Sequence, residues 1–125
     1  MDPFQETAEG TKTVLLVDDD EELRSTLKDV LELAGYRVIA SCGYAEALKA
    51  GKADIAIIDY QMPDGDGIGL MERLRETIPG LPVILMTGFG SEYIVAKAFR
   101  PGAADYIKKP FNIYFLPAFA RPRNP

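Results

Sequence analysis

The sequence predicts an α/β fold, a doubly wound sheet of five parallel strands with helices on both faces. Three features carry this. Short apolar runs recur along the chain, most of them ending on an acid, a hydroxyl or a lysine. Between them the apolar spacing changes to three and four, the period of a helix face. Clusters of Gly, Pro and Asp separate the segments, and strands alternating with helices in a short chain imply right-handed crossovers within one sheet.

The elements follow in order. Residues 1–11 are polar and aperiodic and contain Pro3 and Gly10, which reads as a flexible tail. Val14-Leu15-Leu16-Val17 stops abruptly at Asp18-Asp19-Asp20, as a strand buried on both faces does. Leu23, Leu27, Val30, Leu31 and Ala34 then form one helix face. Asp19 with Glu22 matches a capping box at its start, and Gly35 suits a left-handed cap at its end. A strand over residues 37–42 and a short helix over 44–50 come next. Ile55-Ala56-Ile57-Ile58 is the third strand and again ends on an acid, Asp59. A turn-rich loop from Gln61 to Gly67 leads into a helix with Ile68, Met71, Leu74 and Ile78 on one face, closed by Pro79-Gly80. Val83-Ile84-Leu85-Met86 delivers Thr87 at its end, residues 91–99 read as a helix, and residues 104–107 form the last strand, followed by Lys108-Lys109-Pro110. The architecture is of the flavodoxin-like kind.

Composition sets bounds on function. At 125 residues, 47% apolar and 26% charged, the chain has the make-up of one globular domain. No apolar run approaches the roughly 18 residues of a membrane helix, and the start lacks the basic and apolar regions of a signal peptide. The single Cys42 cannot form an internal disulfide and reads as a small core residue, so a cytoplasmic location is expected. A net charge of −5 argues against direct nucleic-acid binding. Histidine is absent, which excludes a His–Asp relay, His-ligated zinc and a phosphohistidine within this chain.

In doubly wound sheets, ligands sit beyond the carboxyl ends of the strands. Those ends carry Asp18 and Asp19, Asp59, Thr87 and Lys109. Each alone has a bland reading: an acid after a strand caps a helix, a threonine ends a strand, a lysine is solvated. Together they place acid, acid, hydroxyl and amine at successive strand ends. Converging carboxylates repel unless a cation intervenes, and a hard divalent ion with oxygen ligands, magnesium above all, removes that penalty. A hydroxyl donor and an ammonium suit phosphoryl oxygens, so the implied reaction is phosphoryl transfer. Tyr106 reads as half-buried packing on the last strand.

Four segments, Leu15-Leu16-Val17-Asp18-Asp19, Ile58-Asp59-Tyr60-Gln61-Met62-Pro63-Asp64-Gly65-Asp66-Gly67, Met86-Thr87-Gly88 and Ala104-Asp105-Tyr106-Ile107-Lys108-Lys109-Pro110-Phe111, resemble the defining segments of response-regulator receiver domains, in order and spacing over about residues 12–112. The resemblance implies a non-enzymatic phosphoacceptor of two-component signalling, with self-catalysed transfer and autodephosphorylation only. It makes Asp59 the acceptor of a phosphoryl group from a histidine kinase or phosphotransfer protein, using Mg2+ or Mn2+. Asp19 would touch the metal directly, Asp18 through water, and the Gln61 carbonyl would be the backbone ligand. Thr87 and Lys109 would bind the phosphoryl oxygens, Lys109–Pro110 would be cis, and Tyr106 with Thr87 would form the switch. Gln61 and Phe89 would tune access of the hydrolytic water, and an aromatic Phe89 implies a long-lived phosphoryl group.

The chain departs from that family after residue 112. Pro117 lies five positions past Asn112, so residues 113–125, rich in proline, are expected to give a shortened or displaced fifth helix. Ile113, Tyr114, Phe115, Leu116 and Phe119 are apolar, and they are expected to fold onto the sheet's flank or to pair two chains as a homodimer, with pairing slightly favoured. Two other readings compete. Asp18-x-Asp20 resembles the nucleophile motif of haloacid-dehalogenase phosphohydrolases, although Glu22 does not fit it. A pseudo-receiver that only binds a partner would not need the intact acid, threonine and lysine set.

Overall fold

A computed structural model of the chain describes residues 10–88, 90–91, 93–94, 96 and 105–120. The chain order is β1 (Thr13–Val17), α1 (Glu21–Leu33), β2 (Arg37–Ser41), α2 (Tyr44–Leu48), β3 (Ile55–Asp59), β4 (Gln61–Met62), β5 (Gly65–Asp66), α3 (Gly67–Thr77), β6 (Val83–Thr87) and β7 (Asp105–Lys108), then a 3-10 turn at Ile113–Phe115 and a short helix at Leu116–Phe119. Five strands form one parallel sheet in the order β2-β1-β3-β6-β7, the doubly wound arrangement expected. The expected tail over residues 1–11 falls, but for Gly10 and Thr11, outside the described residues. The helix expected over 91–99 is described only at Ser91, Tyr93, Ile94 and Ala96, of which the last three are helical.

Two cores follow from the period-two alternation of strand side chains. Leu15, Val17, Ala56, Ile58, Val83 and Leu85 face one side and bury against Ala47 of α2 and Leu70, Met71 and Leu74 of α3. Val14, Leu16, Ile55, Ile57, Ile84 and Met86 face the other side, against Leu27 and Leu31 of α1. Every residue of β3 and of β6 is buried, which holds the strands that end on Asp59 and Thr87 in register.

Local details correct the sequence reading. Asp20, not Asp19, caps α1: its carboxylate accepts the Leu23 N–H at 3.1 Å. The Asp20 N–H itself donates to Asp18 Oδ1 at 2.9 Å, so the chain turns one residue later than the capping-box pattern implied. At the other end Gly35 has φ 100°, its N–H reaches the Glu32 carbonyl and Tyr36 N–H reaches Leu31, a Schellman closure. Cys42 is exposed and not a core residue. The edge strand β2 stops at Ser41, and the Cys42 N–H donates to Glu46 Oε1 at 2.7 Å instead of continuing the sheet. The loop after Asp59 is a small antiparallel hairpin, β4 with β5.

The C-terminal run forms a shortened helix. Asn112 caps the 3-10 turn by accepting the Tyr114 N–H at 3.0 Å, and the α-helix restarts at Leu116. Pro117 therefore sits in a first turn, where its missing N–H costs little. Leu116 and Ala120 close over the α1 side of the sheet, and the Tyr36 hydroxyl donates to the Pro117 carbonyl at 3.3 Å. Within one chain the segment folds onto the flank of the sheet.

Leu116 is fully buried whereas Tyr114 is 73% exposed, which separates their expected roles. Leu116→Ala should cost about 2–4 kcal/mol in urea unfolding, and Tyr114→Ala less than about 0.5 kcal/mol. Equal losses would show that this helix is not docked as described.

Candidate functional site

The carboxyl ends of four adjacent strands meet at one edge of the sheet. Asp18 follows β1, Asp59 ends β3, Thr87 ends β6 and Lys109 follows β7. Main-chain bonds fix their relative heights. Asp18 N–H donates to the Ser41 carbonyl at 3.2 Å, Tyr60 N–H to Met86 at 2.8 Å, and Lys109 N–H to Thr87 at 2.7 Å. Helix α3 begins so close to Asp59 that a Cβ on Gly67 would lie 2.7 Å from the Asp59 carbonyl oxygen. Only glycine allows that approach.

The side chains form an ion network. Lys109 Nζ lies 2.9 Å from Asp18 Oδ2 and 3.3 Å from Asp59 Oδ1. Asp18 is fully buried, its second oxygen accepts the Asp20 N–H, and Arg24 Nη1 donates to its carbonyl at 2.8 Å. Asp19 is exposed, yet one oxygen from each of Asp18, Asp19 and Asp59 lies within 4.8 Å of the others. The peptide between Lys109 and Pro110 is cis.

One ammonium among three carboxylates leaves excess negative charge at the site. Burial pushes the Asp59 carboxyl up to about 6; Lys109 opposes that shift, while Asp18 and Asp19 add to it. Burial alone would lower the Lys109 ammonium, but its bonds and charge attraction to Asp18 and Asp59 outweigh this and hold it above its ordinary value. An all-oxygen, over-charged and partly desolvated donor set fits a hard divalent cation such as Mg2+ or Mn2+, which would offset the repulsion.

The other expected residues are placed less tightly. Thr87 is fully buried, and its hydroxyl lies 2.6 Å from Ser91 Oγ and 3.4 Å from the Gly88 carbonyl. Gln61 opens the hairpin beyond Asp59 and is exposed. Tyr106 lies on β7 opposite Leu85, 36% exposed, so it is more open than the half-buried packing expected. Phe89 lies outside the described residues. Asp20 is committed to capping α1, which takes it away from any Asp18-x-Asp20 catalytic pair. A cavity of about 450 Å³ beside the site is lined by Leu23, Gly88, Lys109, Pro110, Phe111 and Ile113.

Two contributors escaped the sequence reading. Asp64 accepts the N–H groups of Tyr44 and Ala45 at 3.0 and 3.1 Å, capping α2 from across the hairpin. These bonds hold its carboxyl below the usual range. The signal was available: α2 starts after Gly43, which has no side chain to cap with, and a Cβ there would lie 2.9 Å from Asp64 Oδ1. Ser91 was read only as a helix start.

In a doubly wound parallel sheet, acids, a hydroxyl and an amine gathered at the carboxyl edge lie where such folds bind their ligands. The family model of the response regulator receiver domain matches residues 14–120, and the chain belongs to that family, whose function is phosphoryl acceptance in two-component signalling. The chain is 41% identical over 102 residues to the C4-dicarboxylate transport transcriptional regulatory protein DctD of Rhizobium meliloti, covering 79% of this chain and 22% of that protein. It is 42% identical over 101 residues to the transcriptional regulatory protein CpxR of Escherichia coli, covering 79% and 43%. It thus spans less than half the length of these curated relatives. Among solved structures, a response regulator receiver domain protein from Clostridium thermocellum superposes with a TM-score of 0.80 at 26% identity, covering 86% of this chain and 90% of that one. The non-phosphorylated HemR receiver domain from Leptospira biflexa gives 0.78 at 31% identity, covering 91% and 98%.

The raised Asp59 value has a pH consequence. Burial raises its carboxyl from the ordinary 3.8 to about 6 in the folded chain, so folding favours the protonated acid. That stabilisation is fully present below about pH 4 and is lost as pH rises through 6. In chelator, Asp59→Asn should therefore be more stable than wild type at pH 7.5, by about 1–2 kcal/mol after solvent screening. The gap should close as pH falls toward 4, and magnesium should narrow it at pH 7.5. Urea midpoints across this range are the measurement, and a pH-independent gap would refute the assignment.

Proposed function

We propose that Asp59 is the phosphoacceptor and that the chain receives its phosphoryl group from a phosphohistidine on a histidine kinase or phosphotransfer protein. The observation that carries this is the Lys109 ammonium bridging Asp18 and Asp59, with a third carboxylate within 4.8 Å. An Asp59 carboxylate oxygen attacks phosphorus, the phosphorus–nitrogen bond breaks, and the imidazole leaves with its electron pair, giving an acyl phosphate. Asp18 (through water), Asp19, Asp59 and the Gln61 carbonyl would hold Mg2+ or Mn2+, which when bound supplies charge neutralisation for the phosphoryl oxygens. Lys109 pairs with a phosphoryl oxygen, and Asp18, locked by Asp20 and Lys109, orients it. The apolar cavity beside Lys109 offers the donor a surface close to the acceptor. Transfer and later autodephosphorylation are self-catalysed, and no other reaction is assigned to the chain.

Thr87 and Tyr106 form the switch in this reading. The phosphoryl group draws the Thr87 hydroxyl toward it, and the Tyr106 ring on the neighbouring strand changes position, a population shift between two arrangements. The working unit begins at residue 12, and the burial of Leu116 and Ala120 extends it to 120, past the boundary at 112 read from the sequence. The single exposed Cys42 fits a cytoplasmic location, and the net charge of −5 fits signalling without direct nucleic-acid contact by this chain. No helix among the described residues is long and apolar enough to cross a membrane.

Incubation with acetyl phosphate and magnesium should add one phosphoryl group to wild type by intact mass, and none to Asp59→Asn or in excess chelator. Lys109→Ala should slow transfer and weaken the conformational response. Thr87→Ala should still accept phosphate but respond less. Full labelling of Asp59→Asn would sink the assignment, and identical defects in the other two variants would contradict their division of roles.

A homodimer rests on Tyr114 and Phe115, 73% and 63% exposed beside each other. Sedimentation velocity of wild type should show self-association that Tyr114→Ser with Phe115→Ser abolishes; a monomer at every concentration rules it out.

A further inference from the structure

The Thr87 hydroxyl is already occupied, and its occupant has a chemical consequence. Thr87 is fully buried and Ser91 is 4% exposed, and their oxygens are 2.6 Å apart. Two hydroxyls bring two protons, and the acceptor they share is the Gly88 carbonyl, 3.0 Å from Ser91 Oγ and 3.4 Å from Thr87 Oγ1. Either oxygen can donate in the 2.6 Å pair; when Ser91 gives its proton to Gly88, the shorter of the two carbonyl contacts, Thr87 is the donor in the Thr87–Ser91 bond. The single proton of Thr87 then points to Ser91. A phosphoryl oxygen on Asp59 accepts hydrogen bonds and cannot donate them, so it competes with Ser91 for that same proton.

We infer that Ser91 is a positioning residue for Thr87, holding its hydroxyl away from the phosphoryl position and so setting how strongly the phosphoryl group must pull to turn the switch. This deepens the phosphoacceptor reading and rests on it. The asymmetry makes the device workable. When Thr87 leaves, Ser91 keeps its own donation to Gly88 and loses only an incoming bond. When Ser91 loses its hydroxyl, a buried Thr87 proton keeps only the 3.4 Å contact with Gly88, so the unphosphorylated arrangement is weakened more than the phosphorylated one. Deleting the hydroxyl should thus favour the phosphoryl-bound arrangement.

Beryllofluoride in magnesium, a mimic of the phosphoryl group with fluorides as acceptors, tests this through tyrosine fluorescence titration of wild type, Ser91→Ala, Thr87→Ala and the double variant. Ser91→Ala should bind the mimic about three- to tenfold tighter than wild type. The gain should vanish in the Thr87→Ala background, because Ser91 acts only through the Thr87 proton. A merely structural role for Ser91 would change affinity equally in both backgrounds, and that result overturns the inference. So does unchanged or weaker binding by Ser91→Ala while wild type binds. A wild type that takes up no beryllofluoride overturns the phosphoacceptor reading, and this inference with it.

Discussion

The Lys109 ammonium between Asp18 and Asp59 is the contact on which the rest of the site depends. Two partly or fully buried carboxylates side by side would repel and protonate in a dry environment. One shared cation lets both stay near each other, but a single positive charge does not balance two carboxylates, and Asp19 widens the deficit. The site is therefore built with a charge deficit. Burial adds to it, as the raised Asp59 carboxyl records. Such a cluster is costly to fold, and a cation with an anionic group would relieve that cost. Under the phosphoacceptor reading, these are the divalent metal and the phosphoryl group.

The fold meets that cost by keeping the acids on the stiffest part of the molecule. Asp59 ends the central strand β3 and Asp18 follows its neighbour β1, and alternating residues of those strands feed both cores. A strand that buries large side chains on both faces cannot slip by one residue without exchanging its two faces. The positions of the carboxylates are thus set by the packing of Leu15, Leu16, Ile57 and Ile58 behind them. Asp64 extends the same logic to the rim, where it ties the hairpin after Asp59 to the start of α2.

The sheet, the helix order and the convergence of Asp18, Asp59 and Lys109 were legible in the sequence, because period and strand-end position are local signals read through general topology. Thr87 was legible as a strand-end hydroxyl, but not its engagement with Ser91. What escaped depends on contacts between segments far apart, or on a shift of one residue. Asp20 replaced Asp19 as the cap because Asp18 holds the Asp20 N–H in an Asx turn, and three successive aspartates leave spacing alone unable to choose the cap. Cys42 was misplaced because burial on the last residue of a run depends on whether its strand lies at the sheet's edge. Pro117 looked like a helix breaker when counted from Asn112, yet the intervening 3-10 turn moves the helix start to Leu116. Asp64 could have been found by asking what caps a helix that begins on glycine.

The site also divides into a fixed half and an adjustable half. Asp18 is held by its two side-chain bonds and by Arg24 at its carbonyl, and Gly67 presses α3 against the Asp59 main chain. Moving either acid would break several contacts at once. Thr87 has a fixed backbone, through its carbonyl bond to Lys109, but its side chain is held by the Ser91 contact and a long one to Gly88. A hydroxyl can rotate about one torsion and exchange one acceptor for another at a cost near that of a single hydrogen bond, about 0.5–1.5 kcal/mol. A ligand moves a two-state equilibrium only by its differential interaction with the two states. A charge-assisted bond to a phosphoryl oxygen exceeds a neutral hydroxyl pair, so under the phosphoacceptor reading the fixed acids would define where the anion sits and Thr87 would be the group it moves.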